Sequence, residues 1–418
     1  MKKIIALILA LALVASLAVT LVACNEGEAT GEYANIKIGF IFLHGEDSSY
    51  DKNFIDAANA VIQKLGLTKD QYVMMTDVPE TAACTTAAEQ LVAQGCNIIF
   101  ADSFSHEAYL LPVARDNPDV QFCHATGTMA HTEGLANFHN AFASIYEGRF
   151  LAGIAAGLKL YDMNKNKAAD QQNYKMGYVG AYTFAEVMSG YTSYFLGAKY
   201  ALNQKEENLG DKLSMEVTFT GSWFQEAWEK QAAETLISRG CALISGHADS
   251  DGVPSACQEA GVPNVFYNGT HEKSVYLCAS RINWAPYFEY IINQVKNGEA
   301  IKTDYVGTLE TGSVEVLALG NIAAAGTADM IADAKAKLIA GTIKVFDVST
   351  FTVGGEHIDS YMADVNTDKA YTPDTQVVKT DAKTGITYVA ESEFRSGPYF
   401  NGEIDGITLL DRNYGEEE

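Results

Sequence analysis

The chain has 418 residues, with 53 acidic against 29 basic, a formal net charge of −24 at neutral pH, and 48% hydrophobic residues. Such a length and apolar fraction allow two domains with sizeable cores. A field of that sign disfavours phosphate backbones and acidic lipid surfaces, which argues against nucleic acid as a partner and leaves an uncharged small solute open.

At the N-terminus, Lys2 and Lys3 precede an unbroken apolar run from Ile4 to Val22, and Leu21-Val22-Ala23-Cys24 has the spacing that a lipoprotein signal peptidase reads. Residues 1–23 are therefore expected to be a lipoprotein signal peptide, with Cys24 the lipidated first residue of a mature protein anchored outside the cytoplasm by lipid at the cell membrane. An uncleaved anchor is the alternative, since the run is nearly long enough to span a bilayer; the polar residues Asn25-Glu26-Gly27-Glu28 favour cleavage. Residues 24–35 read as a tether.

Beyond the tether, strands alternate with helices. The apolar run 36–42 predicts a buried strand, and Phe54, Ala57, Ala58, Val61, Ile62 and Leu65 share one face of a helix closed by Gly66. Strands at 71–76, 97–101 and 120–124 follow, with helices at 85–94 and 109–116 between them. The rhythm repeats with a helix rich in small residues at 145–160, then strands at 176–180, 213–220, 242–245 and 264–267, and helices at 189–203, 226–238 and 255–260. Apolar strands separated by amphipathic helices imply parallel sheets covered on both faces, and two such units imply two similar lobes. A strand at 314–319, a helix at 330–339 and a strand at 343–346 follow. Residues 347–418 have weak periodicity and read as an extension of hairpins and loops packed on a lobe.

Ligands of open parallel sheets sit beyond the carboxyl ends of the strands, which here means the cleft between the lobes. The loops at those ends carry Tyr50, Asn53 and Phe54; Asp102, Ser103 and Phe104; Phe184; Trp223; Asp249; Asn268; and, further on, Trp284. Aromatics beside amides, hydroxyls and carboxylates suit a flat heterocycle or a sugar. Phosphate suits these ends badly: Lys and Arg are scarce, and no phosphate-binding glycine loop follows any strand. For Trp223 and Asp249, packing and helix capping stand as alternatives to ligand contact. The histidines at 44, 106, 247 and 271 lie in separate segments and form no catalytic or metal pattern, and the cysteines at 84, 96, 123, 241, 257 and 278 lie in apolar segments that suit buried free thiols. No catalytic residue, metal or cofactor is expected.

Several segments together resemble the basic membrane protein family of solute-binding lipoproteins, the purine-nucleoside-receptor type that serves ABC importers. They are the lipobox at Cys24, the loop Ser49-Tyr50-Asp51-Lys52-Asn53-Phe54, the stretch NFHNAFASIYEGRFLAGIAAGL from Asn137 to Leu158, the glycine-punctuated segment from Met176 to Gly190, and Thr220-Gly221-Ser222-Trp223-Phe224. The resemblance implies a periplasmic-binding-protein type I fold, with two Rossmann-like lobes closing on the ligand at a hinge. Lobe 1 would comprise 36–140 and about 278–305, and lobe 2 141–277 and about 306–346. It also implies a purine base or purine nucleoside stacked between Tyr50 or Phe54 and Trp223 or Phe184, with Asp249 and Asp102 reading polar edges, and an ABC transporter permease as partner. The first loop departs from the nucleoside receptors, and no equivalent of their ribose-reading lysine follows Asn268, which favours a base over a nucleoside. A sensor subunit for another solute such as a sugar, and an extracellular enzyme acting on nucleosides, are the competing readings.

Overall fold

The computed structural model describes residues 31–365, 370 and 372–412. The expected signal peptide, the Cys24 lipidation site and the start of the tether lie outside the described residues. Among the described residues, no helix is long and apolar enough to cross a membrane.

The first sheet is built from β1 (Ile38–Ile41), β2 (Tyr72–Met75), β3 (Ile98–Ala101), β4 (Gln121–Ala125) and β5 (Phe138–Ala143), with α1 (Ser49–Leu65), α2 (Ala82–Ala93) and α3 (His106–Asp116) between them. Strands β1, β3 and β5 are buried along their whole length, so helices must cover both faces, and every neighbouring pair is parallel. Local chemistry fixes α1. The Ser48 hydroxyl accepts from the Asp51 N–H at its start, and Gly66, at φ 67°, returns its N–H to the carbonyls of Ile62 and Gln63 at its end.

The second lobe repeats the pattern with α4 (Ile145–Asn164), β6 (Lys175–Gly180), α5 (Ala185–Lys205), β7 (Ser214–Phe219), α6 (Glu226–Ser238), β8 (Leu243–His247), α7 (Gly252–Ala260), β9 (Asn264–Tyr267) and β10 (Tyr276–Ile282). Next, α8 (Ala285–Asn297) packs Phe288 against Phe100 of the first lobe, and β11 (Asp304–Gly307) pairs with β5. The chain then returns to the second sheet as β12 (Val314–Val316), antiparallel to β10, and continues into α9 (Thr327–Ile339). The spatial orders are β2-β1-β3-β4-β5-β11 and β7-β6-β8-β9-β10-β12, so in each sheet the order reverses beside its first strand. That reversal opens a crevice at the carboxyl ends of β1 and β3, and of β6 and β8.

Before the C-terminal extension the chain crosses between the lobes three times, and these crossings are bonded to one another. The Ser144 N–H donates to the Gly307 carbonyl at 2.8 Å, and the Asn283 N–H to the Ser313 carbonyl at 2.8 Å. These points shift the expected lobe boundaries: the first sheet keeps the chain through Ala143 rather than residue 140, and β10 stays in the second sheet to Ile282 instead of leaving at about 278. Strands β5, β10 and β11 were not expected from periodicity, because polar residues such as His139, Asn140 and Ser280 are buried within or beside them. The strand expected at 343–346 is a turn whose Val345 and Phe346 point into the core.

The extension does not pack on one lobe alone. A hairpin of Val378–Thr380 and Thr387–Val389 leads to Ser396, whose N–H donates to the Asp304 carboxylate of the first lobe at 2.6 Å. The strand Ile407–Leu409 then joins the second sheet parallel to β7. The six cysteines from Cys84 to Cys278 are buried free thiols.

Helices α4 and α5 cross in close contact because each offers glycine where the other's backbone passes. A methyl on Gly197 would lie 1.9 Å from the Phe150 carbonyl oxygen, and one on Gly153 2.1 Å from that of Tyr194. Gly→Ala in an open helix gains about 1 kcal/mol. Here the sign reverses: Gly197→Ala is expected to destabilise the protein by about 1–3 kcal/mol through overpacking, read as a fall in the urea midpoint.

Candidate functional site

The carboxyl ends of the two sheets face each other across a narrow cavity of about 20 Å³. From the first lobe, Leu43, Tyr50 and Asp51 reach it after β1, Ser103 and Phe104 after β3, and Thr126 after β4. The second lobe sends Glu186 after β6, Trp223 after β7, His247 and Asp249 from β8 and the loop after it, and Tyr267 from the end of β9. The lobes meet at its rim, where the Ser49 N–H donates to the Asp249 carbonyl at 3.0 Å and the Phe104 and Phe184 rings lie 5.5 Å apart.

Most donors of the first-lobe wall are already engaged. The Tyr50 hydroxyl donates to the Asp102 carbonyl at 2.8 Å, the Ser103 hydroxyl to Glu80 at 2.6 Å, and the Thr126 hydroxyl to the Ala125 carbonyl at 2.5 Å. Asp51 accepts from the His44 N–H at 2.7 Å and the Ser48 hydroxyl at 2.6 Å. Burial, then the charges of Asp102 and its neighbours, push the Tyr50 phenol well up, so it stays a donor. Asp102 sits behind Tyr50. Burial and then Asp51 raise its carboxyl well above the usual range.

The second-lobe wall rests on a buried arginine. Arg149, 1% exposed, donates from Nη1 to the Gly246 carbonyl at 3.2 Å and holds its guanidinium 3.4 Å from the centre of the Tyr267 ring. Burial, then Arg149, bring His247 down to about 4, so the imidazole is neutral near pH 7. The Tyr178 phenol, raised to about 12 mainly by burial, lies 3.3 Å from His247 Nδ1. Nε2 lies 3.4 Å from Glu186 Oε1, and because a carboxylate only accepts, the imidazole proton is assigned to Nε2 and Nδ1 accepts from Tyr178. Asp249 donates its N–H to the Trp223 carbonyl at 2.9 Å, which ties the two loops together. Its carboxyl is raised well above the ordinary value by burial first, then by Asp51, Glu229 and Glu186. No lysine or arginine lines the cavity. Among the described residues no group of three or more His, Cys, Asp or Glu is placed to hold a metal ion.

Of the residues singled out from sequence, Tyr50, Ser103, Phe104, Trp223 and Asp249 line the cavity. Phe184 stands at its rim, stacked on Tyr182 at 5.1 Å. Others lie elsewhere. Phe54 and Trp284 stack on each other at 4.4 Å inside the core, so the expectation that they touch ligand is corrected: α1 turns its apolar face, Phe54 included, onto α8 and the sheet. Asn53 spends its amide on the Ile282 carbonyl, an interlobe bond beside the hinge. Asn268 lines a separate hollow on the far side of the Ser49–Asp249 contact. Glu186, His247 and Tyr267 were missed as ligand residues. The signal that could have found them is position at a strand end, since His247 and Tyr267 close β8 and β9 and Glu186 opens α5.

A model of the family described as Bmp, ABC transporter substrate-binding protein PnrA-like, matches residues 40–347. Among curated proteins, a purine-binding protein of Brucella abortus (strain 2308) is 25% identical over 343 residues, 80% of this chain and 91% of its own length. A putative ABC transporter glucose-binding protein of Haloferax volcanii is 26% identical over 289 residues, 68% of this chain and 67% of its own length. Among solved structures, a solute-binding protein of an ABC transporter system from Aeropyrum pernix K1 has a TM-score of 0.61 at 17% identity, covering 77% of this chain and 94% of that one. A second, from Conexibacter woesei DSM 14684, has a TM-score of 0.57 at 17% identity, covering 74% and 98%. At that identity the likeness is one of fold, the two-lobed α/β fold of periplasmic-binding-protein type.

The raised Asp249 carboxyl has a consequence for stability. Unfolded, an aspartate ionises near pH 3.9. Folded, it keeps its proton to higher pH, so stability falls as pH rises between the two values. Asp249→Asn removes that contribution. The variant is expected to lose less stability than the parent between about pH 5 and pH 8, as urea unfolding of the empty protein at both values reports.

Proposed function

The chain belongs to the Bmp family of PnrA-like ABC-transporter substrate-binding proteins, and from that premise we propose that it captures a purine base in the cavity between its lobes. The family is one of extracytoplasmic, non-catalytic solute-binding proteins serving a membrane permease, which argues against the reading as a nucleoside-processing enzyme. The observation that carries the ligand assignment is the convergence of Tyr50, Phe104, Trp223 and Tyr267 with Asp51, Glu186 and Asp249 from both lobes. Aromatic faces suit a flat heterocycle, and the carboxylates between them suit its N–H edges. The purine-binding relative from Brucella abortus supports the same class.

In this reading Trp223 and Tyr50 hold the ring from opposite lobes, Asp249 and Ser103 meet its edge, and Phe184 closes the rim over Phe104. Asp102 acts from behind, by accepting from Tyr50 and fixing its ring. Ligand touches both lobes only when they are shut, so binding shifts the lobes toward the closed form that the permease reads. Lipid at Cys24 would keep the receptor near that permease.

A sugar is the second reading, because the Haloferax volcanii relative carries a glucose-binding description and carboxylates also pair with hydroxyls. Calorimetric titration of the purified full-length chain against purine bases, their nucleosides and glucose separates the two. Micromolar or tighter binding of a base, unchanged on recovery, is expected. Trp223→Ala should then weaken it by about 1–3 kcal/mol, the usual worth of an aromatic stacked on a base. A response to glucose and to no purine would sink the assignment.

A further inference from the structure

The second-lobe wall holds a carboxylate set there by other residues. Glu186 lies in the first turn of α5, the end of a helix that suits negative charge, and its side chain is 15% exposed. His247 Nε2 faces its Oε1 at 3.4 Å, and since a carboxylate only accepts, the neutral ring carries its proton on Nε2 and leaves Nδ1 to accept from the Tyr178 hydroxyl. Burial and Arg149 keep the ring neutral, so no imidazolium neutralises Glu186. Its second oxygen has no hydrogen-bond partner among the described residues, and no lysine or arginine lines the cavity to supply one. Glu186 therefore faces the ligand as an acceptor alone.

Resting on the purine reading above, we propose that Glu186 is the specificity-determining residue of this cavity and selects purines bearing an exocyclic amino group over their oxo counterparts. An amino N–H donates to the carboxylate. A carbonyl oxygen in that place sets two acceptors against each other where water is largely excluded, and a site built for one hydrogen-bond partner discriminates strongly against a ligand that cannot supply it. Tyr178 and His247 act through Glu186, as positioning residues.

Titration of the full-length chain and of Glu186→Gln with adenine, hypoxanthine and unsubstituted purine at one pH tests this. The parent is expected to bind adenine at least about tenfold tighter than hypoxanthine, with purine between them. Glu186→Gln presents an amide that can accept or donate, so the two affinities should come within about threefold, chiefly by tighter hypoxanthine binding. Equal binding of the three by the parent, a preference for hypoxanthine, or a ratio unchanged in Glu186→Gln overturns the proposal and leaves the purine receptor standing. The order on the parent is decisive even if the variant fails to fold. Absence of any purine response by the parent overturns the receptor reading along with this one.

Discussion

The arrangement depends on one constraint: a single chain passes three times between its lobes before its C-terminal extension, and these passages are tied by backbone hydrogen bonds from Ser144 to Gly307 and from Asn283 to Ser313. Parallel sheets place all their strand ends on one side. With the hinge fixed there, the carboxyl ends of both sheets are turned toward each other. Gly307 makes the contact possible, since a side chain there would meet Ser313 at 2.4 Å. The binding cavity follows from this hinge as a geometric result and needs no element of its own.

Carboxyl groups crowd the walls of that cavity. Asp51, Glu186 and Asp249 converge on the cavity, with Asp102 close behind and Arg149 buried against Tyr267. Burial and crowding raise the Asp102 and Asp249 carboxyls well above the ordinary range. The Ser49–Asp249 backbone bond couples this chemistry to closure, because it forms only when the lobes meet.

Much of the fold was legible in the sequence because buried parallel strands read as short apolar runs and the covering helices as amphipathic ones. Where polar groups are buried, that signal fails. Strand β5 carries His139 and Asn140, whose bonds to Gln121, Lys302 and Glu107 cross the sheet and cannot be seen in a local pattern. At the site, residue type alone misled for Phe54 and Trp284, since an aromatic beside a binding loop packs inward or outward according to the helix face it occupies. Glu186 and His247 carry only a strand-end signal, because the groups that orient them and keep the imidazole neutral, Tyr178 and Arg149, are distant in sequence.

The strand Ile407–Leu409 gives the second sheet its last parallel neighbour and covers the β7 edge that would otherwise present unpaired backbone to other chains. Its reach is long: Asp411 bonds the Thr218 hydroxyl across a separation of 193 residues. Contacts of such span close late and slowly, since loop entropy must be overcome before they form. Until Ile407–Leu409 docks, the β7 edge is left as an unpaired strand of the kind on which other chains can add.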